Sequence, residues 1–104
     1  MEKNIIRISN AYFPAEQTEK VESMLNNEFK NALIPAIKKL KGNIAFYVGI
    51  DREKGAMTNV SLWQTLQDAK QMDTLKEMLD SREPFEAVGV KFEKITNHQV
   101  LWEL

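Results

Sequence analysis

"TNVSLWQTLQDAKQM", residues 58–72, carries two periodicities with one change between them, and that change sets the fold. Up to Trp63 the stretch alternates as a strand does, Val60 and Leu62 against Met57 and Trp63. Thr65-Leu66-Gln67-Asp68 then matches a helix-capping box, in which the hydroxyl accepts from a first-turn N–H that would otherwise lack a partner. A helix is therefore predicted to begin at Leu66, with Ala69, Met72, Leu75, Met78 and Leu79 as its apolar stripe. It is expected to break near "DSREPF" (80–85), where Pro84 opens a short turn ending at Gly89.

Working outward, "NIAFYVGI" (43–50) and "AMTNVSLWQ" (56–64) flank "DREKG" (51–55), whose length and final glycine predict an antiparallel hairpin. Before it, "IIRISNAYF" (5–13) reads as a strand that stops at Pro14. From about Glu16, Val21, Met24, Leu25, Phe29, Ala32 and Leu33 fall on one helical stripe. Pro35 should kink that helix or start a new turn, "PAIKKLKG". Lys38, Lys39 and Lys41 sit at its end as a solvated cluster, with Gly42 as the left-handed stop. "ITNHQVLWEL" (95–104) reads as the last strand. No linker, repeat or low-complexity tract divides the chain, so residues 1–104 are expected to form one domain.

The order β-α-β-β-α-β, with right-handed crossovers, puts both helices on one face of a four-stranded antiparallel sheet, a ferredoxin-like α+β fold. That leaves the second face bare. Each strand nevertheless carries large apolar residues on both alternating sets, such as Ile6, Ile8 and Tyr12 against Ile5 and Phe13. A sheet wetted on one side should alternate more cleanly, so two protomers are expected to pack sheet to sheet as a homodimer.

Composition narrows the function classes. Fourteen Lys and Arg against 15 Asp and Glu give a net charge of -1, with no field to attract a polyanion. RNA-recognition domains share this element order, but they need basic and aromatic residues together on the central strands. Here Arg7 is the only basic residue on those strands, with Ser9 and Ser61 beside it, so a nucleic-acid role is set aside. The chain has no cysteine, so disulfides and thiolate chemistry are unavailable. The opening "MEKNIIRIS" has a short apolar run interrupted by Arg7, which fits neither a signal peptide nor a membrane span. A cytoplasmic location without membrane association is the expectation.

The element order, "LIPAIKKLKGNIAFYVGID" leading into a hairpin, and "VSLWQTLQDAKQM" across a strand-to-helix join together resemble the dimeric α+β barrel proteins of the antibiotic biosynthesis monooxygenase type. The sharpest element is a strand ending in Trp, a polar pair and an acidic-capped helix: Trp63, Gln64, Thr65 and Asp68. The resemblance implies a homodimer with a small cavity between sheet and helices in each protomer. It also implies a choice among cofactor-free oxygenases of quinols or aromatic polyketides, haem-degrading enzymes, isomerases and proteins without activity. In the haem-degrading branch the recurrent trio is an Asn in strand one, the Trp ending strand three, and a His about one helix later. Asn10 and Trp63 match the first two, but Asp73 and Thr74 stand where the His would fall. The one histidine, His98, lies in the last strand and reads as a residue satisfied by a neighbour or water. Haem degradation therefore ranks low.

Cofactor-free oxygenation asks the protein to exclude water, hold an electron-rich ring and stabilise its developing anion with fixed donors; no metal or cofactor is expected. On this reading the resemblance gives Asn10 and Trp63 the catalytic places, together on the helix side of the sheet. Tyr12, Tyr47 and Asn59 would hydrogen-bond the substrate, Arg82 would add charge at the rim, and Met72 and Phe85 would line the helical wall. Each has a plainer alternative. Trp63 is favoured as a core anchor, Asn59 can face solvent in the hairpin, and methionines are commonly gap-fillers. A non-catalytic, ligand-binding or structural dimer remains the competing function.

Overall fold

The computed structural model describes residues 3–104. Met1 and Glu2, part of the opening read above for a signal peptide, lie outside the described residues. The order is β1 (Ile5–Tyr12), α1 (Thr18–Met24), α2 (Lys30–Lys38), β2 (Asn43–Asp51), β3 (Ala56–Trp63), α3 (Leu66–Lys70), α4 (Lys76–Ala87), β4 (Lys91–Phe92) and β5 (Thr96–Gln99). The antiparallel sheet runs β2-β3-β1-β4, with β5 pairing β1 beyond β4 along the same edge. This is the expected ferredoxin-like α+β arrangement, and within one chain the sheet is open rather than closed into a barrel. Among the described residues no helix is long and apolar enough to cross a membrane.

Local signals placed most boundaries. Thr65 caps α3 by accepting from the Asp68 N–H at 3.0 Å, so that helix starts at Leu66 as predicted. Gly55 closes the "DREKG" hairpin at φ 69°, donating to the Asp51 carbonyl at 3.0 Å. Gly42 ends the first helical layer at φ 79°, where a β-carbon would collide with the Asp68 carboxylate. The side-chain amide of Gln71 donates to the carbonyls of Lys41 and Asp68, both at 2.7 Å, and accepts from the Lys41 N–H at 3.2 Å. The Gln64 N–H donates to the Gly42 carbonyl at 2.9 Å, completing a clamp around the strand-to-helix join.

Three expectations needed correction. α1 and α2 are joined by one π-type turn, Leu25–Phe29, which inserts an extra residue and rotates the following stripe. Beyond Phe29 the buried positions are therefore Leu33 and Ile37, while Ala32 is exposed. The second helical layer breaks earlier than Pro84: a 3-10 turn spans Gln71–Thr74, Leu75 is extended at ψ 118°, and α4 then continues through Pro84 to Ala87. The last strand covers only Thr96–Gln99 of the expected 95–104, and a short extra strand at Lys91–Phe92 precedes it. β4 pairs with the Tyr12 end of β1 and β5 with its Ile5 end, and residues 101–104 lie outside the sheet.

The core lies between helices and sheet, where Val21, Phe29, Leu33, Met57, Trp63, Ala69, Met72 and Phe85 are buried. Phe29 and Phe85 meet edge to face with ring centroids 5.6 Å apart, a geometry the ring quadrupole favours.

Candidate functional site

Register decides which strand residues share the inner face. Ile5 pairs with Trp63, Arg7 with Ser61, Ser9 with Asn59 and Ala11 with Met57, and side chains at paired Cα positions point the same way. Ile5, Ala11, Met57 and Trp63 are buried against the helices, so Arg7, Ser9, Asn59 and Ser61 are carried to the same side. They floor a cavity of about 230 Å³. Its roof is Phe29 from the π-type turn, Met72 and Asp73 from the 3-10 turn, and Met78, Leu79, Ser81, Arg82 and Phe85 from α4; Phe92 closes one side.

The floor holds the unusual electrostatics. Arg7 is 4% exposed, and its Nη2 donates to Asp73 Oδ1 at 2.8 Å. The Asp73 side chain is 51% exposed, so a buried cation is balanced by a carboxylate at the rim. Arg7 Nη1 and Asn59 Oδ1 are both buried without a hydrogen-bond partner. A buried polar group left without any partner costs about 1–3 kcal/mol, and more where it is charged, so these two atoms call for one. At the opposite rim Arg82 donates to Glu86 at 3.3 Å and lies 5.1 Å from the centre of the Phe92 ring.

The candidates named from sequence divide between two faces. Asn59, Met72, Arg82 and Phe85 line the cavity. Trp63 is fully buried behind its floor, its Nε1 donating to Ser61 Oγ at 2.8 Å. Its indole thus anchors the α3 end of the sheet and reaches the cavity only through Ser61. Asn10 and Tyr12 belong to the other parity of β1 and stand on the outer face, as does Tyr47, which pairs with Val60. The resemblance put Asn10 beside Trp63; the register separates them, and Asn10 Oδ1 instead accepts from Thr58 Oγ1 at 2.6 Å. Tyr12 is half exposed, and the neighbouring Glu93 carboxylate raises its phenol above the ordinary 10. His98 lies on exposed β5 with Nε2 2.9 Å from Thr96 Oγ1.

Arg7, Ser9, Ser61 and Asp73 were not among the sequence-level candidates. A signal for Arg7 existed: it alternates in phase with Ile5, Ala11 and Phe13, so a charge was being carried on the buried parity of a strand. Asp73 gave no such sign, since its role depends on where the 3-10 turn sets it over β1.

By sequence, neither a family model nor a curated protein matches the chain. Solved structures match by shape. A protein from Deinococcus radiodurans provisionally named an antibiotic biosynthesis monooxygenase superposes at TM-score 0.73 and 16% identity, over 96% of this chain and 95% of that one. A protein from Shewanella oneidensis gives 0.72 and 12%, over 96% and 93%. SnoaB, described as a cofactor-independent oxygenase from Streptomyces nogalater, gives 0.65 and 10%, over 98% and 97%. The chain has the α+β fold of the antibiotic biosynthesis monooxygenase-like proteins.

Proposed function

We infer that the protein is a homodimer that binds a small aromatic ligand between its sheet and helices and oxidises it without metal or flavin, acting on a quinol or polyketide-like ring. The observation that carries this reading is the cavity itself: an apolar roof of Phe29, Met72, Met78 and Phe85 over a floor with an unpaired buried donor and an unpaired buried acceptor. Few-point polar recognition within an apolar enclosure is how small-molecule sites hold and orient a ring. SnoaB, of the same fold, is a cofactor-independent oxygenase by its description, which favours that chemistry over others available to the fold. In such a step dioxygen gives one oxygen atom to a ring carbon as a carbonyl; the other leaves as water with two hydrogens lost by the ring, both from that carbon in an anthrone, one from it and one from a hydroxyl in a quinol. The chain's part is to keep water away and to hold the electron-rich anion of the ring near fixed donors.

The dimer rests on the outer sheet face, where Ile6, Ile8, Val60 and Leu62 stand beside Tyr47, 66% exposed. Leu101 and Trp102, each 76% exposed, add apolar surface that a second copy would cover. A cytoplasmic location remains part of this reading.

A second reading has its own support. The indole donor of Trp63 is engaged by Ser61 and Asn10 lies on the other face, so the two residues that the family resemblance makes catalytic do not meet in the cavity. That favours a dimer that binds an aromatic ligand without turning it over. Oxygen-electrode measurements with an anthrone, alongside binding by fluorescence quenching, separate the two. Saturable oxygen uptake above the spontaneous rate is the expected result; saturable binding with no added uptake establishes the second reading, and no binding removes both.

A further inference from the structure

The cavity is lined by four charged residues, Arg7, Asp73, Arg82 and Glu93, and only Arg7 is buried. A forked arginine–carboxylate pair, as Arg52 makes with Glu22, engages two guanidinium nitrogens. Of Arg7 only Nη2 reaches Asp73, while Nη1 stays buried and unpartnered. Nearby on the same floor, Asn59 Oδ1 is an acceptor in the same condition. The register makes Arg7 and Asn59 diagonal neighbours on adjacent strands, so both side chains rise from one small part of the floor. An unpaired donor carrying positive charge and an unpaired neutral acceptor specify complementary groups: an oxygen anion and a hydroxyl that can donate.

We propose that Arg7 is the anion receptor of this cavity and that its ligand is a hydroxylated aromatic bound as the monoanion, the ionised oxygen accepting from Arg7 Nη1 and a neighbouring hydroxyl donating to Asn59 Oδ1. The proposal rests on the aromatic-cavity reading above and adds to it the ligand's charge and substitution. Asp73 tunes the site. Engaged with Nη2, it partly neutralises the guanidinium, so the receptor favours a single negative charge over two. Arg82 is occupied by Glu86 and Phe92 at the rim and is not the receptor.

The test uses the intact protein with 2,3-dihydroxynaphthalene, whose absorbance reports its ionisation, together with 2-naphthol and 2,3-dimethoxynaphthalene. The bound diol is expected to ionise at least one pH unit below the free diol, which is tenfold tighter binding of the anion than of the neutral form. Arg7→Met should abolish that shift, and Asn59→Leu should reduce the preference for the diol over 2-naphthol about tenfold. Asp73→Asn, at the half-exposed rim, should enlarge the shift by freeing the guanidinium; a purely structural Arg7 predicts no such gain, and this variant serves where Arg7→Met does not fold. If the diol binds with an unshifted midpoint, or Asp73→Asn leaves the midpoint unmoved, the receptor role is overturned while the cavity stands. If none of the three naphthalenes binds, dimethoxy control included, the aromatic-cavity reading falls, and the receptor role with it.

Discussion

Each face of the sheet carries a patch of the character usually found on the other. The inner floor, under the helices, carries Arg7, Ser9, Asn59 and Ser61, while the outer face carries Ile6, Ile8, Val60 and Leu62. A chain of 104 residues gains little in stability from a buried guanidinium nitrogen without a partner, or from isoleucines left half-buried on an open face. Both make sense if each face is completed by something else: the inner by a polar-edged ligand, the outer by another protomer. On the proposed reading, the contrast separates what the chain recognises from what it assembles with.

Three measurements would break or sharpen that contrast. The largest effect is expected from Val60→Glu on the outer face. A charge buried in a sheet-to-sheet interface should weaken association at least a hundredfold, about 3 kcal/mol, and halve the mass seen by light scattering while the far-ultraviolet circular dichroism is kept. A wild-type molecule that is already monomeric would end the outer-face argument. Next comes Trp63→Phe, behind the inner floor. It leaves Ser61 without its donor and opens a small void, so denaturant unfolding should show a loss of about 1–3 kcal/mol with naphthalenediol affinity largely kept. Lost binding with stability intact would move Trp63 into the site. The smallest effect concerns Tyr12 at the outer edge, whose phenol is raised because ionisation would set a second negative charge beside Glu93. Its raised midpoint favours the protonated phenol in the folded state, so this contribution to stability is present below pH 10 and is lost as pH rises through the midpoint. Ultraviolet titration of Glu93→Gln should bring the Tyr12 midpoint back down towards 10.

What could be read in advance was what the chain encodes locally. The Thr65 cap, the "DREKG" hairpin and the Gly42 stop each need only a few neighbouring residues, and each falls where the residue types put it. The element order also carried the sheet topology, because handedness leaves few alternatives. The π-type turn was hidden, since one inserted residue keeps Leu33 in the buried stripe but drops Ala32 and brings in Ile37, without any marker residue. Pro84 misled because α4 continues through it, while the real break sits at Leu75, which no proline or glycine announces. The site was half legible. Asn59, Met72, Arg82 and Phe85 come to the cavity, but parity within a strand does not say how β1 faces β3, and that register is what parts Asn10 from Trp63. Arg7 sits on the buried parity of β1, but in the sequence it counts only against a nucleic-acid face and a membrane-inserting run.

The extended residue Leu75 splits the cavity roof into two pieces with different attachments. α3 and the 3-10 turn are welded through Gln71 to Lys41 and through Arg7 to Asp73. α4 has one buried residue, Phe85, and its own ion pairs, Lys76 with Asp80 and Arg82 with Glu86, both join residues of the same helix. The two halves of the roof thus hold to the molecule by different chemistry: polar bonds reach across from the 3-10 turn, while α4 rests on aromatic edges, Phe85 against Phe29 and Phe92.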